Sequence, residues 1–237
     1  MSSPSRELAQ LASRTRHVLI DFDGPVCQIF AGIPSHAAAN ELRSQLRAAG
    51  IDIPQSAATL ADPLEVFRVV ADLGDHAAIT AQELLTALEV RAAQTARPTP
   101  GSADLITTAT QTGRSVTIVT NNSGAAVSAY LVRHHLDTHA GKIVGRDDPD
   151  PALMKPSPYR VRIAVGSLQA EPEDCVFIGD TVTDVLAGLL GGVAVIGFAN
   201  KPGKAEALSH AGARAVVSDL AEITTALRTA PSPALPN

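Results

Sequence analysis

The sequence predicts an α/β fold: a doubly wound, mostly parallel sheet into which a small all-helical domain is inserted. Three observations predict it. Short runs rich in Val and Ile recur along the chain, several of them apolar throughout, as strands buried on both faces must be. Helical patterns separate most of these runs, and strand–helix–strand repetition implies right-handed crossovers in a parallel sheet. Between the first two strands lie about ninety residues with only helical signals over 33–95, far more than a crossover needs.

The expected strands are His17–Asp21, Ser115–Thr120, Lys142–Gly145, Cys175–Gly179, Val193–Gly197 and Ala215–Ser218. The expected helices between and after them are Gly101–Thr112, Ala125–His134, Ser157–Leu168, Asp184–Leu190 and Ala205–Ala211. In the insert, Ser35–Ala49 places Ala38, Leu42, Leu46 and Ala49 on one helical face. Asp62-Pro63-Leu64-Glu65 opens a helix over 62–73, with an N-cap, Pro at the first helical position and Glu at the third. Thr80-Ala81-Gln82-Glu83 reads as a second capping box, leading into Leu84, Leu85, Leu88 and Ala92. The Pro-rich stretch 97–101 returns the chain to the sheet, and a matching linker is expected near 29–34. The expected division is therefore a discontinuous core of 15–30 and 98–228, a helical domain of 31–97, and a disordered tail of 229–237 carrying three prolines.

Composition sets outer limits. The chain has 237 residues, 45% apolar and 18% charged, too apolar and too weakly charged for a disordered polyampholyte. Lys and Arg number 19 against 24 Asp and Glu, a net charge of −5 without a basic cluster, which argues against general nucleic-acid binding. Aromatics, at 3%, are too few for a base-stacking platform. Cys27 and Cys175 have no metal-ligand spacing and read as free thiols of a reducing compartment. The polar first ten residues contain no signal-peptide stretch. The longest apolar run, 185–199, is shorter than a bilayer span and broken by four glycines, so it reads as a helix end, a turn and a strand. The expectation is a cytoplasmic protein without membrane contact, monomeric or homodimeric.

Ligands of open α/β sheets bind at the carboxyl ends of the strands. The first strand ends in Asp21-Phe22-Asp23-Gly24, the second in Thr120-Asn121-Asn122-Ser123, and the fourth in Gly179-Asp180-Thr181-Val182-Thr183-Asp184. Lys155 precedes Pro156-Ser157-Pro158, where Ser157 can cap a helix. Clustered carboxylates cannot all stay ionised without a cation, and hard oxygen ligands suit Mg²⁺. With Lys155, the Thr120 hydroxyl and backbone N–H groups, such a cluster can hold a phosphoryl group.

At these residues the chain resembles the haloacid dehalogenase superfamily, in particular its phosphatases and mutases of the phosphoglycolate-phosphatase and β-phosphoglucomutase group, which have a Rossmann-like core and a helical cap. The resemblance spans roughly 18–220 and rests on Asp21-Phe22-Asp23-Gly24-Pro25-Val26, Val119-Thr120-Asn121, Lys155-Pro156, and Gly179-Asp180 with Asp184. It implies Mg²⁺-dependent hydrolysis of a small phosphomonoester through an aspartyl-phosphate. Asp21 is implied as nucleophile and Asp23 as the acid that protonates the leaving oxygen and then activates water. Mg²⁺ is implied to sit on Asp21, the Asp23 carbonyl, Asp180 and Asp184. Thr120 and the Asn121 N–H are implied to bind phosphoryl oxygens, and Lys155 to offset charge. Asp23 favours phosphate esters over halides, because a departing halide needs no proton. Pro25 departs from the family's usual Thr or Val and removes an N–H from the loop. A phosphomutase that returns the phosphoryl group to its substrate, and a non-enzymatic phospho-acceptor module, are the alternatives.

Other segments carry weaker signals. The Gly197–Ala205 segment imitates a P-loop but has one residue too many between its glycines and Ala205 where Ser or Thr is needed; it reads as a loop near the active site. His134, His135 and His139 read as solvated helix-end histidines, and Asp147, Asp148 and Asp150 as a solvated turn. In the insert His36, Arg43, Arg68 and His76 are candidates for substrate contact. Gln28–Pro34, beside Asp23 by connectivity, is expected to contribute to specificity.

Overall fold

The computed structural model describes residues 6–232. In chain order it contains α1 (Arg6–Arg14), β1 (His17–Ile20), β2 (Cys27–Gln28), α2 (Ser35–Ala48), α3 (Pro63–Ala71), α4 (Asp75–Ala93), β3 (Arg97–Pro98), α5 (Ser102–Gln111), β4 (Ser115–Val119), α6 (Gly124–Arg133), β5 (Lys142–Val144), α7 (Tyr159–Ser167), β6 (Cys175–Gly179), α8 (Val182–Leu190), β7 (Ala194–Phe198), α9 (Lys204–His210), β8 (Ala215–Val217) and α10 (Leu220–Thr229), with short 3₁₀ turns between some of them.

Six strands form a fully parallel sheet in the order β5-β4-β1-β6-β7-β8. The chain starts in the middle at β1, fills one side with β4 and β5, then crosses to fill the other with β6, β7 and β8. This reversal puts a switch point, where a crevice opens, at the end of β1. In register, Ile20 lies beside Ile118 on one side and Ile178 on the other, so the residues following β1, β4 and β6 emerge together.

Alternation explains why the strands read as apolar. Val18, Ile20, Val116, Ile118, Val176 and Ile178 face one layer, with α1, α5, α6 and α10, while Leu19, Val119, Cys175 and Phe177 face the other, with α7, α8 and α9. Cys27 and Cys175 are free and buried. The long apolar run divides into α8, a turn at Gly191-Gly192 and β7; Gly192, at φ +81°, occupies the left-handed region that ends the helix. Among the described residues no helix is long and apolar enough to cross a membrane.

Helices α2, α3 and α4 lie between β2 and β3 and enclose an apolar cluster of their own, including Leu42, Leu46, Phe67, Val70, Leu85 and Leu88. The end of α4 and the segment after it leave that cluster: Ala92 and Ala93, with Ala96 beyond the helix, join the core beneath the sheet. Both passages between sheet and helices run side by side, because β2 and β3 pair antiparallel with Cys27 opposite Pro98 and Gln28 opposite Arg97.

Several local expectations need correction. Thr80 does not begin a helix: α4 starts after Gly74, and the Thr80 hydroxyl donates to His76 O one turn back. Gly74, at φ +121°, breaks the chain there, a conformation the capping pattern at Thr80 does not register. Helix α7 begins at Tyr159, two residues after Ser157, whose Oγ accepts from the Tyr159 N–H. Helix α1 is absent from the sequence expectation; Leu8, Leu11 and Ala12 bury one narrow face of an otherwise polar segment. The expected tail starts too early, since Thr229 closes α10 and Pro231 O accepts from Arg114 Nη2 at 3.1 Å. The remainder, 233–237, lies outside the described residues.

Candidate active site

Asp21 follows β1 directly, its N–H bonded to Ile178 O at 2.9 Å, so the sheet aims its carboxylate into the crevice. The chain then turns sharply: the Val26 and Cys27 N–H groups both donate to Phe22 O, and the Gly24 N–H to Cys27 O. This turn closes without an N–H from residue 25, so Pro25 is accommodated in it. Thr99, on the returning linker, holds the turn by donating Oγ1 to Gly24 O at 2.6 Å and its N–H to Val26 O at 3.0 Å. Asp23 projects to the cleft side and accepts from the Ile29 N–H at 3.0 Å.

Lys155 is 3% exposed and bridges two carboxylates, with Nζ 2.7 Å from Asp21 Oδ1 and 2.5 Å from Asp184 Oδ1. Asp184 opens α8 in a capping box with Thr181: its Oδ2 accepts from the N–H groups of Asp180 and Thr181 and from Thr181 Oγ1. That fixes Oδ1 toward Lys155. Asp180, at the end of β6, accepts from Asn200 Nδ2 at 2.9 Å and pairs with Lys204. Asp21, Asp180 and Asp184 each offer a carboxylate oxygen, all within 4.8 Å of one another. Asp23's side chain stands outside this group.

On the β4 side, the Thr120 hydroxyl donates to Asn122 Oδ1 at 3.2 Å and accepts from the Asn122 N–H. Asn121 Oδ1 accepts from the Lys155 N–H at 2.9 Å, which ties the Lys155 loop to the end of β4. Thus Asp21, Asp23, Thr120, Asn121, Lys155 and Asp184 share one cavity of about 210 Å³. A larger cavity of about 750 Å³ adjoins it, sharing Asp23, Asp62, Leu64 and Thr181, and contains Asp180, Asn200 and Lys204. Gln28, Phe30 and Ala31 line this larger space, which puts the segment expected to influence specificity beside Asp23.

The electrostatics follow from burial. Burial pushes the Asp21 carboxyl up to about 8; Lys155 pulls it down, while Asp184 and Asp180 push it further up. Asp23 is raised to about 6, chiefly by burial, against a lowering bond from the Ile29 N–H. Burial works against the Lys155 charge, but Asp184 and Asp21 outweigh it and hold the ammonium above its ordinary value. The donor set fits a hard divalent cation. Asp180 Oδ1 is buried without a hydrogen-bond donor, and Asp21 Oδ1 and Asp184 Oδ1 both face the single Lys155 ammonium.

The residues singled out in the insert separate. Arg68 borders the smaller cavity and donates Nη2 to Lys155 O at 2.9 Å. Arg43 is buried, spending its donors on Ala57 O, Leu60 O and Asn40 Oδ1, a structural use inside the insert. His36 and His76 are exposed and line neither cavity. Asp148 and Asp150 border a separate cavity of about 590 Å³ with Arg68, Asp72 and Asp75. His134 stacks on Tyr130 with ring centroids 4.2 Å apart, and His139 shares a hydrogen bond with Thr110.

Two groups of residues stand at or near the site without an expectation from the sequence. Lys204 and Asn200 reach Asp180 from the loop after β7; their signal was the P-loop-like segment, which names no target for its lysine. Glu89 and Arg146, 57 residues apart in the chain but adjacent in space, form an ion pair with neither side chain exposed. A carboxylate on a helix face and an Arg in a loop carry no sequence mark of such pairing.

The model of the haloacid dehalogenase-like hydrolase family matches residues 15–192. No curated protein sequence matches the chain. Among solved structures, the fold is similar to that of a protein described as a predicted phosphatase from Clostridium acetobutylicum, with a TM-score of 0.68 and 21% identity over 89% of this chain and 96% of the other. It is also similar to one described as a predicted phosphoglycolate phosphatase from Haemophilus somnus, with a TM-score of 0.61 and 16% identity over 89% and 96%. A third, a family hydrolase from Deinococcus radiodurans with bound phosphate and sodium, gives a TM-score of 0.59 and 21% identity over 92% and 99%. With the match covering well over half its length, this chain belongs to the haloacid dehalogenase-like hydrolases.

Proposed function

We propose that the protein is a Mg²⁺-dependent phosphatase that hydrolyses a small phosphomonoester through a covalent aspartyl-phosphate. The observation that carries this reading is the buried trio Asp21, Asp180 and Asp184, whose carboxylate oxygens lie within 4.8 Å of one another, with Lys155 bridging Asp21 and Asp184. The family to which the chain belongs, the phosphatase descriptions of two structural neighbours and the phosphate bound in a third support it.

In this reading Asp21, Asp180 and Asp184, with the Asp23 carbonyl, hold Mg²⁺. The bound ion offsets the carboxylate charges and polarises the phosphoryl oxygens. Asp21 attacks phosphorus as the bond to the leaving oxygen breaks, and Asp23 gives that oxygen its proton. Asp23, now a carboxylate, takes a proton from water; the water oxygen bonds to phosphorus and the aspartyl bond breaks, freeing phosphate and Asp21. A carboxyl held near 6 is suited to give a proton in one half-reaction and take one in the next. The Thr120 hydroxyl, the Asn121 N–H and the Lys155 ammonium bind the oxygens that bear charge during transfer.

Asp23 borders both cavities, so the phosphoryl group fits the smaller one and the leaving group the larger. Residues 31–97 are the cap of this enzyme over a core that takes in α1 and the whole of α10 besides the sheet, and the buried free thiols suit the cytoplasm. Phosphate release from p-nitrophenyl phosphate with Mg²⁺, lost with a chelator and in Asp21→Asn, tests the reading. Rearrangement of a sugar phosphate without phosphate release identifies a mutase instead.

A further inference from the structure

The most deeply buried charges outside the site lie where the helical insert meets the end of β4. Glu89, on α4, and Arg146, two residues past β5, pair at 2.7 Å with neither side chain exposed. Burying two full charges is expensive, and apolar packing often serves stability as well, so what matters is where their hydrogen bonds go. Glu89 Oε1 accepts from Asn122 Nδ2 at 3.0 Å, and Oε2 from the Ser123 N–H at 2.9 Å. The Arg146 N–H donates to Asn122 O at 2.8 Å, and Nε to Asn121 O at 3.0 Å. The peptide joining Asn122 to Ser123 is therefore gripped at both ends, its C=O by Arg146 and its N–H by Glu89.

The same arginine is seated in the insert. Gln82, two turns before Glu89 on α4, donates to Arg146 O at 2.7 Å and accepts from Nη1, while the guanidinium stands 4.9 Å over the Phe67 ring of α3. Neither Glu89 nor Arg146 lines the smaller cavity, but Thr120, Asn121 and Asn122 do. We propose that Glu89 and Arg146 are a positioning pair through which the seated insert sets the geometry of the Thr120–Asn122 loop, so that phosphoryl binding and the docking of α3 and α4 are coupled. This rests on the phosphatase reading, because it assigns the loop to phosphoryl oxygens. Coupling of this kind is reciprocal: phosphate tightens the insert as much as the insert tightens phosphate.

The test uses Glu89→Asp and Arg146→Lys, which keep both charges but shorten or simplify the fork, and Gln82→Ala, which loosens Arg146 from the insert alone. Inhibition by inorganic phosphate, kcat and KM with p-nitrophenyl phosphate, and hydrogen exchange across α3 and α4 with and without phosphate are measured on the full chain with Mg²⁺. In the first two variants the inhibition constant is expected to rise about tenfold or more and kcat/KM to fall about 10²-fold, as for small displacements of a binding group. Phosphate should slow exchange across α3 and α4 in the wild type and lose that effect in the variants. Gln82→Ala should shift the same quantities in the same direction, by about threefold, and decides the matter if the other two do not fold. Folded variants with wild-type phosphate inhibition and wild-type protection by phosphate overturn the proposal. A wild-type protein that neither binds phosphate nor releases it overturns the phosphatase reading itself.

Discussion

Gly24 and Asp180 are packed so closely that a β-carbon on residue 24 would stand 2.4 Å from the Asp180 carboxylate carbon. Residue 24 also holds φ at +114°, outside the range side chains readily adopt. The glycine therefore lets the turn after Asp21 pass directly against a proposed metal ligand. Gly24→Ala is expected to displace Asp180 and to cost about 1–3 kcal/mol of stability from backbone strain. Chemical denaturation and Mg²⁺ titration calorimetry check this; unchanged stability and Mg²⁺ affinity contradict it.

Among the described residues, Lys155 is the one cation placed between the Asp21 and Asp184 carboxyl groups. Lys155→Met leaves Asp21 and Asp184 facing each other without a cation, and the expected loss of stability is about 3–5 kcal/mol. Excess Mg²⁺ should return part of it by binding those oxygens. Urea melts with and without Mg²⁺ read both effects.

The raised carboxyls predict a pH window. Asp21 and Asp23 hold their protons to about 8 and about 6 in the folded protein, against 3.8 for an unperturbed Asp. Groups raised in this way contribute stability that is present below the unfolded value and disappears as pH rises through the folded one. Without metal, stability should therefore decline as pH climbs from about 4 toward about 8. Mg²⁺ binds the ionised oxygens, so the stability gained in excess Mg²⁺ should grow across that window, toward about 2.7 kcal/mol at a hundred times Kd. Scanning calorimetry at several pH values is the check, and an equal Mg²⁺ gain at every pH contradicts the assignment.

Arg68 joins the insert to the site. Arg68→Ala is expected to raise KM about tenfold and to lower kcat less, because it borders the pocket without standing among the proposed reacting groups. Its ion pair with Glu65 is partly exposed, so stability should change by less than about 1 kcal/mol. Steady-state kinetics and a thermal melt test both.

What was legible in the sequence is what local chemistry marks. Strands buried on both faces leave unbroken Val and Ile runs, and Asp62 before Pro63 announces α3, where its side chain does accept from the Leu64 N–H. Asp21, Thr120, Asp180 and Asp184 were readable because each stands where a strand ends or just past it, and strand ends converge in a parallel sheet. The β2–β3 ribbon was invisible because it is two residues long on each side and lies within what reads as linker. Lys204 on Asp180, and Arg146 on Glu89, are long-range choices made by packing; no periodicity in either segment encodes the partner. Thr80 misled because a good capping pattern inside a helix costs little, whereas Gly74 ends the preceding turn by backbone conformation alone.

If Asp21 carries the phosphoryl group, the adduct must form on its carboxylate during turnover. The most direct measurement is rapid acid quench of the Mg²⁺-loaded protein during turnover of p-nitrophenyl phosphate, followed by peptide mapping of acid-stable or borohydride-reduced adducts. The expected result is modification of the peptide bearing Asp21, absent in Asp21→Asn together with all phosphate release. Phosphate release by Asp21→Asn at the wild-type rate, with no adduct on that peptide in either protein, would contradict it.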